Sequence, residues 1–283
     1  MRKLVLSILG IFLFQNAQAQ EATVAIDSVS NWKKGGTFTF LFNQTAFNND
    51  WMAGGTSSIA GNVNVNYDIN YAKGDWTWDT KFIGAYGQAK LKGDGAKKTD
   101  DRIDLNSVLG KKAKGNWYYS LMFNARTQFD SGFDPDGVKI SHFFSPAFFQ
   151  LGPGMLWKKS DNLKVNISPL NSKLVVVHDE FTLLGSSYGV EQGKTTRYEL
   201  GAAINAYYKF DLFENVSMEN ILNLYSNYLE DPKNIDIDYQ MNIAMKVNKY
   251  ITTNIAFQAI YDDNARKAFQ IRQLFGLGLN YNF

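Results

Sequence analysis

The chain lacks several features that would place it in common protein classes. It has no cysteine, which excludes disulfide bonds and thiolate metal sites. Beyond the N-terminal segment, no window approaches about 18 continuous apolar residues, which excludes membrane-spanning helices. An excess of charge of one sign is also missing, since the chain has 29 basic and 27 acidic residues. This balance argues against a nucleic-acid partner, which would require an excess of Lys and Arg on one face.

The N-terminus has the pattern of a secretory signal. Arg2 and Lys3 form a basic start, residues 4–14 are apolar, and Ala17-Gln18-Ala19 is a small-residue cleavage site. We therefore expect a signal peptide over residues 1–19, cleaved near Ala19. A periplasmic segment over residues 20–36 is expected to follow.

Apolar and polar residues alternate along nearly every segment from Thr37 onward. In one stretch Val63, Val65 and Tyr67 share a face, and Asn62, Asn64 and Asn66 share the other. The apolar faces are too many and too continuous to fill one small core. The polar faces are therefore assigned to a lumen and the apolar faces to lipid. A secreted β-sandwich is the alternative, but it would not need alternation in nearly every strand.

The spacing of the segments predicts twelve strands. Connections of a few residues alternate with longer ones, as expected for short periplasmic turns and long outer loops. An even strand count places both termini in the periplasm. The sequence thus predicts an all-β, transmembrane, antiparallel up-and-down barrel of about twelve strands, an outer-membrane β-barrel over residues 37–283.

The last strand has large apolar side chains at every second position and ends on an aromatic residue. Such an ending resembles the signal that outer-membrane barrels present to their assembly machinery. Outer-membrane lipid and that machinery are therefore the expected partners. The residues that carry the predicted signal are Phe275, Leu277, Leu279, Tyr281 and Phe283.

A short repeat places a Trp three residues before a Gly pair, at Trp32–Gly36 and again at Trp51–Gly55. We interpret each copy as a turn that lets the chain bend into the sheet, with Trp as an interfacial anchor.

Ionisable residues of both signs fall on the predicted lumen face. Since neither sign dominates, we expect them to pair across strands as a polar network that fills the interior. Diffusion of a small solute along an Asn-rich wall remains an alternative. The predicted network contains Asp79, Lys81, Arg126, Lys164, Arg197, Glu199, Asp236, Asp238, Lys246 and Arg272.

The two histidines suggest a site at the outer mouth. If the hairpin after Trp157 has no bulge, His142 lies opposite His178 on the lumen face, and two imidazoles so placed can share a metal or a proton. Asp179 and Glu180 follow directly and could complete the site. Pro169 favours a bulge, which would shift this register.

An enzyme is the alternative function, because some twelve-stranded outer-membrane barrels are lipid hydrolases. Ser141 and Ser145 flank His142, but neither has the parity of a nucleophile on the same strand face. The sequence therefore predicts no catalytic residues, and it assigns no cofactor and no metal.

Several short motifs are spread over the chain from Asn43 to Phe283. They are Asn43-Gln44, Trp51-x-x-Gly54-Gly55-x-Ser57, Trp76-x-Trp78-Asp79, Ser168-Pro169-Leu170 with Lys173, Glu199-x-Gly201-Ala202, Glu214-Asn215, Asp231-Pro232 through Asp238, Tyr261-Asp262-Asp263 and the closing strand. In this order they resemble an uncharacterised family of outer-membrane β-barrel proteins from Bacteroidetes-type bacteria, known only as a domain of unknown function. The resemblance implies membrane location and barrel fold, and it implies no activity. A narrow pore for small solutes, or a filled barrel with ligand-binding outer loops, is the function we expect.

Overall fold

The computed structural model describes residues 30–48, 56–134, 136–264 and 266–283. Within them, twelve antiparallel strands pair in chain order into a closed barrel, which confirms the predicted fold class. No helix in these ranges is long and apolar enough to cross a bilayer. The predicted signal peptide, residues 1–19, lies outside the described residues.

The described residues contain fourteen strands, of which twelve form the barrel and two, β6 and β7, form a separate hairpin. In chain order the strands are β1 (Trp32–Thr45), β2 (Ser58–Lys73), β3 (Trp76–Leu91), β4 (Lys97–Lys114), β5 (Trp117–Thr127), β6 (Gly132–Phe133), β7 (Lys139–Ser141), β8 (Ala147–Ser160), β9 (Leu163–Val176), β10 (Thr196–Phe213), β11 (Val216–Asn227), β12 (Asp236–Lys246), β13 (Ile251–Asp262) and β14 (Arg266–Asn282).

The two ends of the barrel differ in their connections, as the sequence predicted. At one end, here called the turn end, four connections have two residues each: 74–75, 115–116, 161–162 and 214–215. Gly74 and Gly115 adopt φ values of 56° and 59° there, a left-handed conformation that suits tight hairpins. At the opposite loop end the longest connections are 46–57, 128–146 and 177–195, and the last of these contains a short 3-10 helix, Asp179–Phe181.

The two faces of the sheet are inverted relative to a soluble protein. Large apolar side chains such as Phe40, Leu121 and Leu277 stay exposed on the outside. Charged side chains are buried inside, including Asp104 at 1 % exposure and Glu199 at 2 %. Alternation along each strand produces both faces at once, since successive side chains point to opposite sides.

The start of the barrel was predicted wrongly. β1 begins at Trp32 rather than residue 37, so the expected periplasmic segment 20–36 loses its last five residues to the sheet. Gly36 is paired within β1 and makes no turn. A Cβ there would lie 2.5 Å from the Phe283 ring and 2.7 Å from the Tyr67 ring, because these two rings stack over the glycine where β1 meets β14. The second copy of the repeat, Trp51–Gly55, lies outside the described residues.

The register of the β8–β9 hairpin was also predicted wrongly. Trp157 pairs with Val165 instead of Leu163, because β8 continues to Ser160 and leaves a two-residue turn. The register then shifts between Leu151 and Met155, opposite the segment that contains Pro169. The bulge expected at that proline is therefore present.

Candidate functional site: the charged lumen and the loop-end mouth

Most of the predicted lumen residues take part in ion pairs inside the barrel. Lys246 differs, since it is exposed at the turn end of β12. The other nine each lie within 4.0 Å of an oppositely charged atom: Asp79, Lys81, Arg126, Lys164, Arg197, Glu199, Asp236, Asp238 and Arg272.

Arg126 on β5 joins two walls of the barrel. Its Nη2 lies 3.0 Å from Asp104 Oδ2 on the adjacent strand and 2.6 Å from Asp238 Oδ2. Asp238 lies on β12, five strands away around the ring. Asn124 donates to Asp104, and Gln258 donates to Asp238. Each carboxylate thus has a second donor besides the guanidinium, which allows burial of the charges.

Two further arginines cross the lumen beside Arg126. Arg102 on β4 donates to Gln240 Oε1 at 2.6 Å, and the two residues lie six strands apart in a ring of twelve. Arg272 on β14 forms an ion pair with Asp100 on β4. These contacts define a charged cross-section, here called the arginine layer, which consists of Arg102, Arg126, Arg272, Asp100, Asp104, Asp238 and Gln240.

The arginine layer lies between two cavities. The larger, about 630 Å³, extends from Lys33 and Asn162 near the turn end to Asp100, Arg102 and Arg272. The smaller, about 300 Å³, is lined by Thr127, Ile260 and other residues nearer the loop end, and by the same Asp100, Arg102 and Arg272. Both cavities therefore end on the same charged side chains.

A second cross-lumen contact lies nearer the turn end. Lys81 Nζ on β3 is 3.0 Å from Glu219 Oε1 on β11, six strands away, and 3.4 Å from Asp68. Tyr207 donates its hydroxyl hydrogen to Glu219. All four of these residues line the larger cavity. The pair therefore crosses a space that continues past it.

The remaining predicted charges form clusters along the walls. Asp79 accepts ion pairs from Lys158 at 2.8 Å and Lys164 at 3.2 Å near the turn end. Toward the loop end, Lys173 lies 3.4 Å from Glu199 and 3.2 Å from Asp236, and Arg197 lies 3.2 Å from Glu199.

The loop-end mouth brings together the four residues that the sequence suggested there. The rings of His142 and His178 have centroids 5.0 Å apart. His142 Nε2 lies 3.1 Å from Glu180 Oε1, and His178 Nδ1 lies 2.8 Å from Asp179 Oδ1. The proximity arises from loops 128–146 and 177–195, since both histidines lie outside β8 and β9. A hydrogen bond from Lys139 lowers the pKa of the Glu180 carboxyl.

The residues of the predicted assembly signal lie on β14, except for Phe283, which follows its last residue directly. Phe275, Leu277, Leu279, Tyr281 and Phe283 are all more than half exposed. The same strand closes the barrel by pairing with β1 from Phe42↔Leu277 to Thr37↔Asn282. Recognition of this strand by an assembly machinery stays a prediction.

Sequence reasoning did not assign Asp100, Arg102 or Glu219 to the lumen. Alternation predicts a strand over residues 102–112, which leaves Asp100 in a predicted loop, whereas β4 begins at Lys97. Arg102 has the parity of Asp104, and this parity was a usable signal. Glu219 was harder to find because β11 carries apolar residues such as Ile221 and Leu222 on both faces.

The chain matches a family of unknown function. Residues 42–133 match the family model described as "Protein of unknown function (DUF3078)". The resembling motifs after residue 133 lie outside this match, and the Bacteroidetes-type origin stays a prediction. No curated protein matches the chain.

Solved barrels resemble the chain at low identity. The translocator domain of the autotransporter NalP from Neisseria meningitidis is 12 % identical with a TM-score of 0.41, over 100 % of this chain and 95 % of that one. An outer membrane channel from Pseudomonas putida F1 is 10 % identical with a TM-score of 0.39, over 93 % and 99 %. The NanC porin is 8 % identical with a TM-score of 0.36, over 88 % and 97 %. These scores are low, and the fold assignment rests on the strand pairing of this chain itself.

Proposed function

We propose that this protein is an outer-membrane channel for small polar solutes whose lumen is closed by the arginine layer. The exposed apolar outer face supports the membrane location, because water would leave such a surface unfavourably hydrated whereas lipid would cover it. The end with short turns and both termini then faces the periplasm, and the loop end faces outward.

The single observation that carries the proposal is the meeting of two cavities at one charged layer. A barrel filled throughout would have no reason to keep about 630 Å³ of space on one side and about 300 Å³ on the other. The layer contains three arginines and three aspartates, so its formal charge is balanced. Closure therefore results from side chains that span the lumen, and no net field of one sign is needed.

The larger cavity suits uncharged polar solutes. Its wall carries many amide and hydroxyl side chains, including Asn62, Asn64, Asn66, Asn106, Asn205, Asn223, Asn242, Asn254, Thr37 and Thr39. Such groups both donate and accept hydrogen bonds, so they can replace part of the hydration of a polar solute. The competing proposal is a filled barrel whose outer loops bind a ligand. The ion pairs across the lumen would be compatible with that function as well.

Conductance in planar bilayers tests the proposal. The triple variant Arg126→Ala, Asp104→Asn, Asp238→Asn removes the central guanidinium and both of its carboxylate partners, so neither carboxylate is left buried without its guanidinium. We expect its single-channel conductance to exceed that of the wild type by about fivefold or more, because losing the central crossing opens a passage between the two cavities beside Arg102 and Arg272.

The matched control is Lys194→Ala with Glu191→Gln, an exposed ion pair in loop 177–195, which should leave the conductance unchanged. Silence from both the wild type and the triple variant, each shown to be folded, would contradict the channel and favour the filled barrel. Equal conductance in the two proteins would contradict closure by the arginine layer.

A further inference from the structure

A rigid turn holds the two loop-end histidines in place. His142 and Ser145 exchange backbone hydrogen bonds of 3.0 Å in each direction, with Phe144 at a φ of 61° between them. The backbone N–H of His178 donates to Ser145 Oγ at 2.8 Å. Gln128 also donates to the carbonyls of His142 and Ser145. Loop 177–195 is thus fixed to loop 128–146 at the point where their histidines meet.

The side chains at this point form a compact donor set. One ligand atom from each of His142, His178 and Glu180 lies within 4.8 Å of the other two. Zinc binds nitrogen and oxygen ligands at about 2.0–2.2 Å, which places tetrahedral ligand atoms about 3.4 Å apart. His142 Nε2 and Glu180 Oε1 are already 3.1 Å apart. Small rotations of the exposed His178 side chain would therefore allow all three ligand atoms to coordinate one ion.

The carbonyl of Phe143 orients the His142 ring as in protein metal sites. His142 Nδ1 lies 2.7 Å from this carbonyl oxygen, which can only accept, so Nδ1 carries a hydrogen and Nε2 faces Glu180 Oε1. A carbonyl partner of this kind holds a metal-binding histidine in its tautomer and orientation. His178 Nδ1 accepts the backbone N–H of Glu180 at 3.3 Å and lies 2.8 Å from Asp179 Oδ1, so this nitrogen is already turned toward the acidic residues of the cluster.

The contact between His142 Nε2 and Glu180 Oε1 is stabilised by positive charge, which either a proton on Nε2 or a bound cation supplies. Without either, two lone pairs 3.1 Å apart would repel each other. Lys139 supplies one such charge, with Nζ 3.0 Å from Glu180 Oε1. A divalent ion bound by both atoms would supply it more directly and would compete with Lys139 for the carboxylate.

We propose that His142, His178 and Glu180 bind a divalent transition-metal ion such as Zn²⁺ at the loop end of the barrel. Two imidazoles and one carboxylate are a zinc-type donor set and leave a fourth position for water. Calcium and magnesium prefer all-oxygen sites and are not expected to bind here. The ion would tie the two longest described loops together, and this site is independent of the arginine layer.

Isothermal titration of the refolded full chain with ZnCl₂ tests the site, and the Co²⁺ absorption spectrum reports its ligand geometry. We expect one equivalent to bind, and His142→Ala and His178→Ala each to weaken binding by about tenfold or more. Glu180→Gln should weaken it as well. Lys139→Ala should leave binding unchanged or tighter, since a competing cation is removed.

The control is Glu191→Gln, an exposed carboxylate in the same loop and outside the donor set, which should bind like the wild type. Circular dichroism, and a difference in gel mobility between heated and unheated samples, establish that each variant is folded. Absence of saturable Zn²⁺ binding by the folded wild type would overturn the proposal. Binding that persists unchanged in both histidine variants would overturn it equally, because the ion would then occupy other carboxylates.

Discussion

The arginine layer and the Lys81–Glu219 pair both cross the lumen, and they differ in their relation to the two cavities. The arginine layer ends both cavities, whereas the Lys81–Glu219 pair lies within the wall of the larger one. In each contact one cation binds two carboxylates: Arg126 binds Asp104 and Asp238, and Lys81 binds Glu219 and Asp68. The arginine layer adds two further crossings, by Arg102 and Arg272, so it occupies more of the cross-section. In the proposed channel, closure therefore depends on this set of three arginines.

The largest effect on stability is expected from Arg126→Ala alone. It leaves the carboxylates of Asp104 and Asp238 without their guanidinium, and Asp104 is almost fully buried. Breaking a buried ion pair in this way costs about 3–5 kcal/mol. Denaturant unfolding in detergent measures the change in the free energy of unfolding.

The triple variant separates this charge effect from lost packing. Its two asparagines remove the unpaired charges, so it should recover most of the stability that Arg126→Ala loses. If Arg126→Ala proves as stable as the wild type, Arg126 does not hold the layer together and the comparison fails.

A smaller effect is expected from Lys81→Met with Glu219→Gln. The double variant removes the second cross-lumen pair but retains the arginine layer and the Tyr207 hydroxyl. Conductance should change by less than about twofold, because the passage beside the pair was already present. A conductance as large as that of the triple variant would mean that the two contacts are equivalent and that the layer has no special role.

Sequence patterns were sufficient for features that depend on neighbouring residues. Alternation with a period of two assigned Arg126, Asp238 and Arg272 to the lumen face, because one choice of parity fixes a whole strand. Turn length and glycine position likewise gave the strand count.

Features that depend on contacts between distant strands could not be predicted in this way. Nothing local to Arg126 indicates that its partner lies five strands away at Asp238. Gly36 looked like part of a turn, since the Phe283 and Tyr67 rings that cover it come from elsewhere in the chain. His142 and His178 approach each other through loop packing, although the strand register used to pair them was wrong.

Side-selective thiol labelling tests the central claim most directly, because the chain contains no cysteine of its own. Asn64→Cys places a thiol in the larger cavity, and Ile260→Cys places one in the smaller cavity. In an oriented bilayer, a bulky impermeant thiol reagent should label Cys at position 64 only from the turn end and Cys at position 260 only from the loop end. Adding the triple substitution should make both positions reactive from both sides. Labelling of either position from both sides in the otherwise unchanged protein would show that the arginine layer does not close the lumen.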